Sequence, residues 1–323
     1  MEFFRAKSII PFMRYSIYTL VISWILVAAS LVLLFTKGLN YGIDFVGGTV
    51  IQVKYEGVAP IDDMRHKLSS NPIYDGSSIS EFGSPDEVVI RMKSVSESLT
   101  QDVGDLTTIQ LEGTGKFEIR RVDIVGAKVG SELREKGITA LILALIGMLA
   151  YVSYRYEWRF ALAAILGLLH DITIVVGIIS LVGLDVNLDV LAAVLTVLGY
   201  SINDTIIVFD RIRERINDAK KMPLNETINE AITSTLSRTI LTSFTTLIVV
   251  VTLYLYGGEI INPFTFVLLL GIGIGTFSSV FIASALLPVV GFDINKYRSK
   301  IADKKARAAE REKMRAQFEQ GII

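Results

Sequence analysis

Charge is rare in six long apolar runs of this 323-residue sequence and is concentrated between them. A helix that crosses the hydrocarbon core of a bilayer needs about 20 predominantly apolar residues, and each run approaches or exceeds that length. The hydrophobic content of 51% and the mean hydropathy of +0.50 agree with such a chain. We therefore predict six transmembrane helices, at residues 15–36, 138–154, 160–182, 188–209, 239–256 and 264–288.

The positive charges predict how these helices are oriented. If all six runs cross the membrane, the termini and short connections that carry Lys and Arg fall on one side, whereas the short loops 183–187 and 257–263 on the other side have none. Membrane proteins keep excess Lys and Arg in their cytoplasmic segments. Arg134 and Lys136, just outside the second helix, oppose this pattern, but they belong to a long outer segment, where the rule is weak. We therefore expect both termini and the segment between the fourth and fifth helices in the cytoplasm. The basic residues on that side include Arg5, Lys7, Arg14, Arg155, Arg159, Arg211, Arg213, Arg215, Lys220, Lys221, Arg238, Lys296, Arg298, Lys300, Lys304, Lys305 and Arg307.

Residues 37–137 have the patterning of a small soluble domain on the outer side. Alternating apolar residues predict strands, and apolar residues at helical spacing predict helices. Residues 83–86, with the sequence GSPD, predict a hairpin turn between the middle strands. The resulting order βαββαβ predicts a ferredoxin-like α/β sandwich. The strands are expected at 48–55, 77–82, 87–92 and 116–122, and the helices at 61–69 and 94–110.

Two charged segments are expected on the cytoplasmic side. Within 211–238, apolar residues at helical spacing predict an amphipathic helix lying on the inner membrane surface. Residues 291–323 mix charges with good helix formers, which predicts a basic cytoplasmic tail that is either a solvated helix or partly disordered. The expected organisation has five parts. They are an N-terminal segment (1–14), a first membrane helix (15–36), the soluble domain with its linkers (37–137), five more membrane helices (138–290) and the tail (291–323).

Asp204 is the residue most out of place in the apolar run of the fourth helix. Insertion scales assign a carboxylate at the bilayer centre a cost of about 2.5 kcal/mol or more, so an intramembrane aspartate is a functional candidate by default. One interpretation is a carrier that binds and releases a proton, with Ser201, Asn203 and Thr205 as its hydrogen-bonding neighbours. The alternative is a buried aspartate that only links helices through neighbouring hydroxyl groups.

Three further features of the apolar runs each have two interpretations. Arg238, at the inner end of the fifth helix, is either the charge partner of Asp204 or an ordinary basic flank. His170 and Asp171, in the middle of the third helix, form either a proton relay or a pair satisfied by a neighbouring helix. A stripe of small residues in the sixth helix predicts close helix packing and also permits helices to slide; it consists of Gly271, Gly275, Ser279 and Ala283.

The motifs that are missing exclude several classes of function. The chain has no cysteine and only two histidines, His66 and His170, so neither thiolate chemistry nor a metal cluster is expected. The glycine-rich segment 42–48 lacks the Lys-Ser/Thr of a phosphate-binding loop, and the sequence has no nucleophile elbow or HExxH motif. We therefore expect no enzymatic activity, no cofactor and no nucleic-acid partner. The energy for any work would come from an ion gradient or another subunit.

Several motifs together resemble the SecF family, the smaller subunits of bacterial SecD–SecF export complexes in the resistance–nodulation–division superfamily. The resemblance rests on YGIDFxGGT at 41–49, VGxxVGxEL at 125–133, HD at 170–171, GYSINDT at 199–205, DRIRE at 210–214, SRT at 237–239 and the glycine stripe at 271–279. In the second motif the family usually carries proline where this chain has Ala127.

This resemblance implies a fold, partners and a mechanism. The fold is one half of a pseudo-symmetric unit of twelve helices in the bacterial inner membrane, with a ferredoxin-like domain after the first helix. The implied partners are SecD, which supplies the other half, the SecYEG channel, YajC and YidC as further candidates, and the translocating polypeptide. In the family, proton-motive force drives movements that pull the polypeptide outward. The family's proton-transporting aspartate and arginine fall on Asp204 and Arg238.

On this reading, residues 42–49 act as a hinge that transmits helix movement to the soluble domain through Gly42, Asp44, Gly47 and Gly48. Two other functions remain open. An exporter subunit for small molecules or lipids is one, although such chains typically carry two repeats with larger domains. A scaffold that only stabilises a translocation channel is the other, and it requires substitutions at Asp204 and Arg238 to be silent. Carboxylate and hydroxyl oxygens suit Na⁺ as well as H⁺.

Overall fold

The chain forms a bundle of membrane-spanning helices with one small α/β domain attached. The computed structural model describes residues 8–92, 103–218, 222–258 and 260–319. Within them, six helices are long and apolar enough to cross a membrane, which confirms the predicted class of fold. The helices are α1 (Ser16–Thr36), α2 (Ile43–Val46), α3 (Ile61–Ser69), α4 (Val103–Gln110), α5 (Ala127–Arg155), α6 (Trp158–Val182), α7 (Leu188–Asp218), α8 (Leu224–Tyr256), α9 (Asn262–Ser278), α10 (Ser284–Val289) and α11 (Ile294–Glu319).

The membrane spans are α1, α5, α6, α7, α8 and the combined length of α9 and α10. Three of these spans extend beyond the apolar runs. Helix α5 already begins at Ala127, and α7 continues to Asp218. The segment expected as an amphipathic helix within 211–238 is helical, but it is not separate from the fifth span, because α8 runs without a break from Leu224 to Tyr256. Good helix formers continue each helix past its apolar part, and the chain meets no Pro or Gly between Asp210 and Pro223.

The soluble domain is a four-stranded antiparallel sheet in the order β3-β4-β2-β5. Its apolar core lies between the sheet and the helices α3 and α4, and Ile51, Met64 and Ile90 are fully buried there. The βαββαβ order agrees with the ferredoxin-like prediction. The helix expected at 94–110 is described from Val103 onward, and its earlier residues lie outside the described part. The strands are β2 (Gly48–Tyr55), β3 (Ser78–Phe82), β4 (Ser84–Met92) and β5 (Phe117–Val125), which follow β1 (Asn40–Tyr41) in the chain.

The turn between β3 and β4 is tighter than the sequence predicts. Phe82 pairs directly with Ser84, so the chain reverses at Gly83 alone, whose φ of 76° strongly favours glycine. Pro85 is tolerated inside β4 because β4's pairing with β2 ends at Glu87, so the missing N–H breaks no bond of that ladder. The hairpin turn predicted at 83–86 is confirmed, but it is confined to Gly83, and residues 84–86 already belong to β4.

A packed junction joins the soluble domain to the bundle. Strand β1 pairs in parallel with β6 (Asp185–Val186), which lies in the loop between α6 and α7. Helix α2 packs on the first turns of α5, and a Cβ placed on Gly47 would lie only 2.5 Å from Cα of Ala127. An ion pair of 3.1 Å between Arg91 and Asp185 adds a second link. The segment expected as a hinge is therefore tightly packed in this conformation.

Helices α6, α7 and α9 form the buried centre of the bundle, whereas α1, α5 and α8 keep most of their apolar surface exposed. Such extensive apolar exposure requires lipid or another subunit around the outer helices. On the opposite end of the bundle from the soluble domain, the first turn of α11 is anchored by Tyr297, whose ring packs against Phe160 and Phe292. Residues 302–315 of α11 are exposed.

Candidate functional site in the membrane bundle

Asp204 lies on the buried face of α7. Residues at intervals of three and four along this helix point into the bundle, as the helical repeat of 3.6 residues requires. The Asp204 side chain is only 1% exposed, and neither carboxylate oxygen has a hydrogen-bond partner among the described residues. The buried series on this face includes Val190, Val194, Val197, Ser201, Asp204, Val208 and Ile212.

Two polar residues of the neighbouring helix α8, Ser243 and Arg238, lie on the side of Asp204, but neither forms a hydrogen bond or an ion pair with its carboxylate. Arg238 is exposed and forms no ion pair with Asp204 within 4.0 Å. Ser243 belongs to a hydroxyl set from three helices: it lies 2.7 Å from Thr276 Oγ1 on α9 and accepts a bond of 3.3 Å from Tyr200 of α7. Asp204 therefore borders hydroxyl groups that already satisfy one another.

A second carboxylate, Asp171, lies in the centre of the bundle on α6. Its side chain is 1% exposed, and its two oxygens are both engaged. Oδ1 lies 2.8 Å from Nδ1 of His170, and Oδ2 accepts a hydrogen bond of 2.5 Å from the Ser201 hydroxyl. The other ring nitrogen of His170, Nε2, is buried without a partner among the described residues. Asp171 is therefore held in place by α7, whereas His170 keeps one free polar atom within this part of the chain.

The site residues expected from the sequence divide between these two carboxylates. Ser201 bonds Asp171 rather than Asp204. Thr205 is buried next to Asp204, whereas Asn203 is exposed on another face of α7. Ser201 and Asp204 are three residues apart on one helix, which places them about 4.5 Å apart along its axis. The arrangement is thus one bonded carboxylate, Asp171, and one unbonded carboxylate, Asp204, and the donor to the first lies about one turn of α7 from the second.

The glycine stripe of the sixth span lies against this site. A Cβ added to Gly275 would lie 3.0 Å from Cβ of Ser201, and one on Gly271 would lie 2.1 Å from Cγ2 of Val197. The span then changes to a π-helical turn at Ser279–Ala283 before α10. π-Turns inside helices occur frequently at functional sites. The small residues let α9 approach α7 closely at the level of Ser201.

Sequence reasoning missed the hydroxyl groups of α8. Thr235, Thr239 and Ser243 recur every four residues, and all three are buried. The Thr239 hydroxyl has no hydrogen-bond partner among the described residues. This four-residue spacing of hydroxyl side chains in an apolar helix was the signal that could have revealed the face.

Six spans among the described residues, an α/β domain after the first of them and carboxylates buried in the bundle centre define an integral membrane protein with ionisable groups between its helices. Comparison with known proteins specifies its family. Residues 106–293 match the family "Protein export membrane protein SecD/SecF, C-terminal", and residues 32–57 match the SecD/SecF GG motif. The chain belongs to the SecF family of protein translocase subunits, which makes it a multi-pass protein of the bacterial inner membrane with a role in protein export.

Individual relatives support this assignment. The protein translocase subunit SecF of Helicobacter pylori strain J99 is 47% identical over 100% of both chains. The SecF of Vibrio alginolyticus is 43% identical over 90% of this chain and 92% of its own. The crystal structure of SecDF, a translocon-associated membrane protein from Thermus thermophilus, matches with a TM-score of 0.79 at 32% identity. That match covers 88% of this chain but only 39% of the longer SecDF chain.

Proposed function

We propose that this chain uses the proton-motive force to promote the export of secreted polypeptides and their release on the outer side of the membrane. The observation that carries the proposal is the Asp204 carboxyl, buried in a membrane-spanning bundle with neither oxygen bonded to a described residue. Burying an unpaired carboxylate costs far more than burying the neutral acid. This conformation therefore suits the proton-loaded form of Asp204.

Release of the proton needs a second conformation with a different environment around Asp204. Arg238 is on the neighbouring helix α8 and has no ion pair with Asp204 here. A movement that brings its guanidinium to the carboxylate, or admits water, favours the charged form. Alternation between the two environments loads and unloads one proton, and the glycine-lined contact of α7 with α9 is a thin seam along which such a movement is feasible.

The partners follow from the exposed outer helices and from the relatives. The match to 39% of a SecDF chain supports SecD as the subunit that completes a larger helical unit and encloses the proton path. The Thermus SecDF is a translocon-associated protein, which supports SecYEG as the channel partner of this chain, with YajC and YidC as further candidates. The basic residues of α11 and of the α7–α8 connection support cytoplasmic termini.

The junction between the bundle and the soluble domain carries the movement outward. Leu188, the first residue of α7, donates its backbone N–H to Asp44 Oδ2 at 3.0 Å. The helix that contains Asp204 is therefore attached directly to the segment that leads into β2. A shift of α7 during proton transfer displaces that segment and the soluble domain with it.

Translocation into inner-membrane vesicles tests this function. A secreted polypeptide is presented with ATP, with and without an imposed proton gradient, to vesicles that contain the wild-type chain or Asp204→Asn. The expected result is loss of the gradient-dependent increment while ATP-driven translocation and assembly with SecD persist. Asp189→Asn removes an exposed carboxylate from the same helix and serves as the matched control. An unchanged increment in Asp204→Asn would refute the proton role, and a sodium gradient in place of the proton gradient identifies the ion.

A further inference from the structure

An apolar cleft opens between α5, α6 and α7 near the soluble domain. It has a volume of about 160 Å³ and an almost entirely aliphatic lining. The only polar side chains in its lining, among the described residues, belong to Tyr41 and Arg134. Its inner wall includes Leu141, Ile172, Val176, Val190, Leu191 and Val194.

The cleft results from the way α5 is held. The first turns of α5 pack on α2, and the rest of the helix leans on α6 with most of its surface exposed. Gly137 brings α5 close to α7 at one point, since a Cβ there would lie 2.6 Å from Cδ2 of Leu191. Beside this contact the helices separate and leave an open apolar slot. Its location on a poorly buried helix gives it access to the surrounding bilayer.

Arg134 lies at the rim of the cleft, where, among the described residues, its charged side chain is next to an aromatic ring instead of an acidic group. Its guanidinium carbon is 5.9 Å from the centre of the Tyr41 ring, and it forms no ion pair with any described acidic residue. Lys136, two residues further along α5, is by contrast paired with Glu132 at 2.7 Å. A basic side chain and a tyrosine beside the apolar part of a membrane helix mark the level of the lipid headgroups.

We propose that this cleft binds an anionic phospholipid, with one acyl chain in the slot and the phosphate on Arg134. The size agrees, because a dry apolar cavity of about 150 Å³ accommodates a molecule as large as benzene, which corresponds to a short segment of acyl chain. A transmembrane helix is about 10 Å across and does not enter such a slot. The guanidinium supplies two parallel donors for a phosphate group.

Lipid binding to the complex of this chain with SecD tests the proposal. The complex is purified in detergent, stripped of lipid and titrated with phosphatidylglycerol or phosphatidylcholine, and bound lipids are counted by native mass spectrometry. We expect saturable binding with phosphatidylglycerol preferred by about tenfold or more, the scale of one charge-assisted contact. Arg134→Gln should abolish the preference, and Lys136→Gln should leave it unchanged.

A second variant separates the cleft from general attraction to charge. Ile138 lines the cleft and is half exposed, so Ile138→Trp fills the opening without disturbing the core. This variant should lose saturable binding of both lipids. Equal binding of the two lipids by the wild type, or wild-type binding by Arg134→Gln or Ile138→Trp, would overturn the proposal. The proposal would also be overturned if the complex bound no lipid and a crosslinker at position 138 reacted with SecD, because SecD would then fill the cleft.

Discussion

The Ser201 hydroxyl donates a hydrogen bond of 2.5 Å to Oδ2 of Asp171, from α7 to α6. Ser201 is one turn from Asp204 on the same buried face, yet it is engaged by the other carboxylate. The two buried acids therefore differ in kind. Asp171 has a hydroxyl and an imidazole on its oxygens, whereas both oxygens of Asp204 lack hydrogen-bond partners among the described residues. The first is suited to holding helices together, and the second to changing its protonation state.

Replacing Ser201 tests this division of roles. Ser201→Ala removes the donor to Asp171, and we expect a loss of about 1–2 kcal/mol in stability from one buried hydrogen bond to a carboxylate. Thermal unfolding of the purified complex in detergent measures it. Thr196→Ala is the control, since Thr196 is exposed and bonds only the carbonyl of Ala192 in its own helix. Equal unfolding temperatures for the two variants would contradict the structural role of Ser201.

Structural features that depend on local periodicity, namely the membrane spans and the strands of the soluble domain, could be predicted from the sequence. Apolar run length predicted the spans, and alternation predicted the sheet of the soluble domain. The partner of Ser201 could not be predicted, because a contact between residues 30 positions apart depends on how α6 and α7 pack. The exposure of Asn203 was predictable in principle, since adjacent residues on a helix point about 100° apart. The continuity of α8 is not evident from the sequence, because the first half of this helix carries charges that the apolar second half lacks.

Asp44 attaches the start of α7 to the segment before β2, and its carboxylate serves as a helix cap. Asp44→Ala leaves the Leu188 N–H without its acceptor, which should cost about 0.5–2 kcal/mol locally. Faster hydrogen exchange at residues 188–191 in the purified complex measures the effect. Asp44→Asn keeps an oxygen acceptor and should exchange like the wild type. Unchanged exchange in Asp44→Ala would show that the cap does not stabilise α7.

The start of α11 should depend on pH. Asp293 Oδ1 accepts the backbone N–H groups of Lys296 and Asn295, at 3.1 and 2.9 Å. These bonds hold the pKa of the Asp293 carboxyl below its ordinary value of 3.8, with the bond from Lys296 as the largest cause. A lowered folded-state pKa means that the stabilisation is complete well above pH 3.8 and is lost as the pH falls below it.

Because the chain has no cysteine, a single spin label at Ala302→Cys can report on α11. Its mobility should be low at about pH 6 and should rise as the pH falls through and below 3.8. In a variant that also carries Asp293→Ala, the label should be mobile at about pH 6 and equally mobile below pH 3.8. A wild-type pH response in that variant would assign the change to other carboxyl groups of the tail.

Two glycines of α9 offer a matched test of the packing between α7 and α9. A Cβ on Gly271 would lie 2.1 Å from Cγ2 of Val197, whereas one on Gly273 has no described atom within 4 Å. Gly271→Ala should therefore destabilise the complex by about 1–3 kcal/mol through overpacking. Gly273→Ala should raise stability by up to about 1 kcal/mol, because alanine is the better helix former. Thermal unfolding separates the two, and adding Val197→Ala to Gly271→Ala should recover stability by making room for the methyl group. If both glycine variants unfold alike and the second substitution restores nothing, the close contact at Gly271 does not hold the seam beside Ser201.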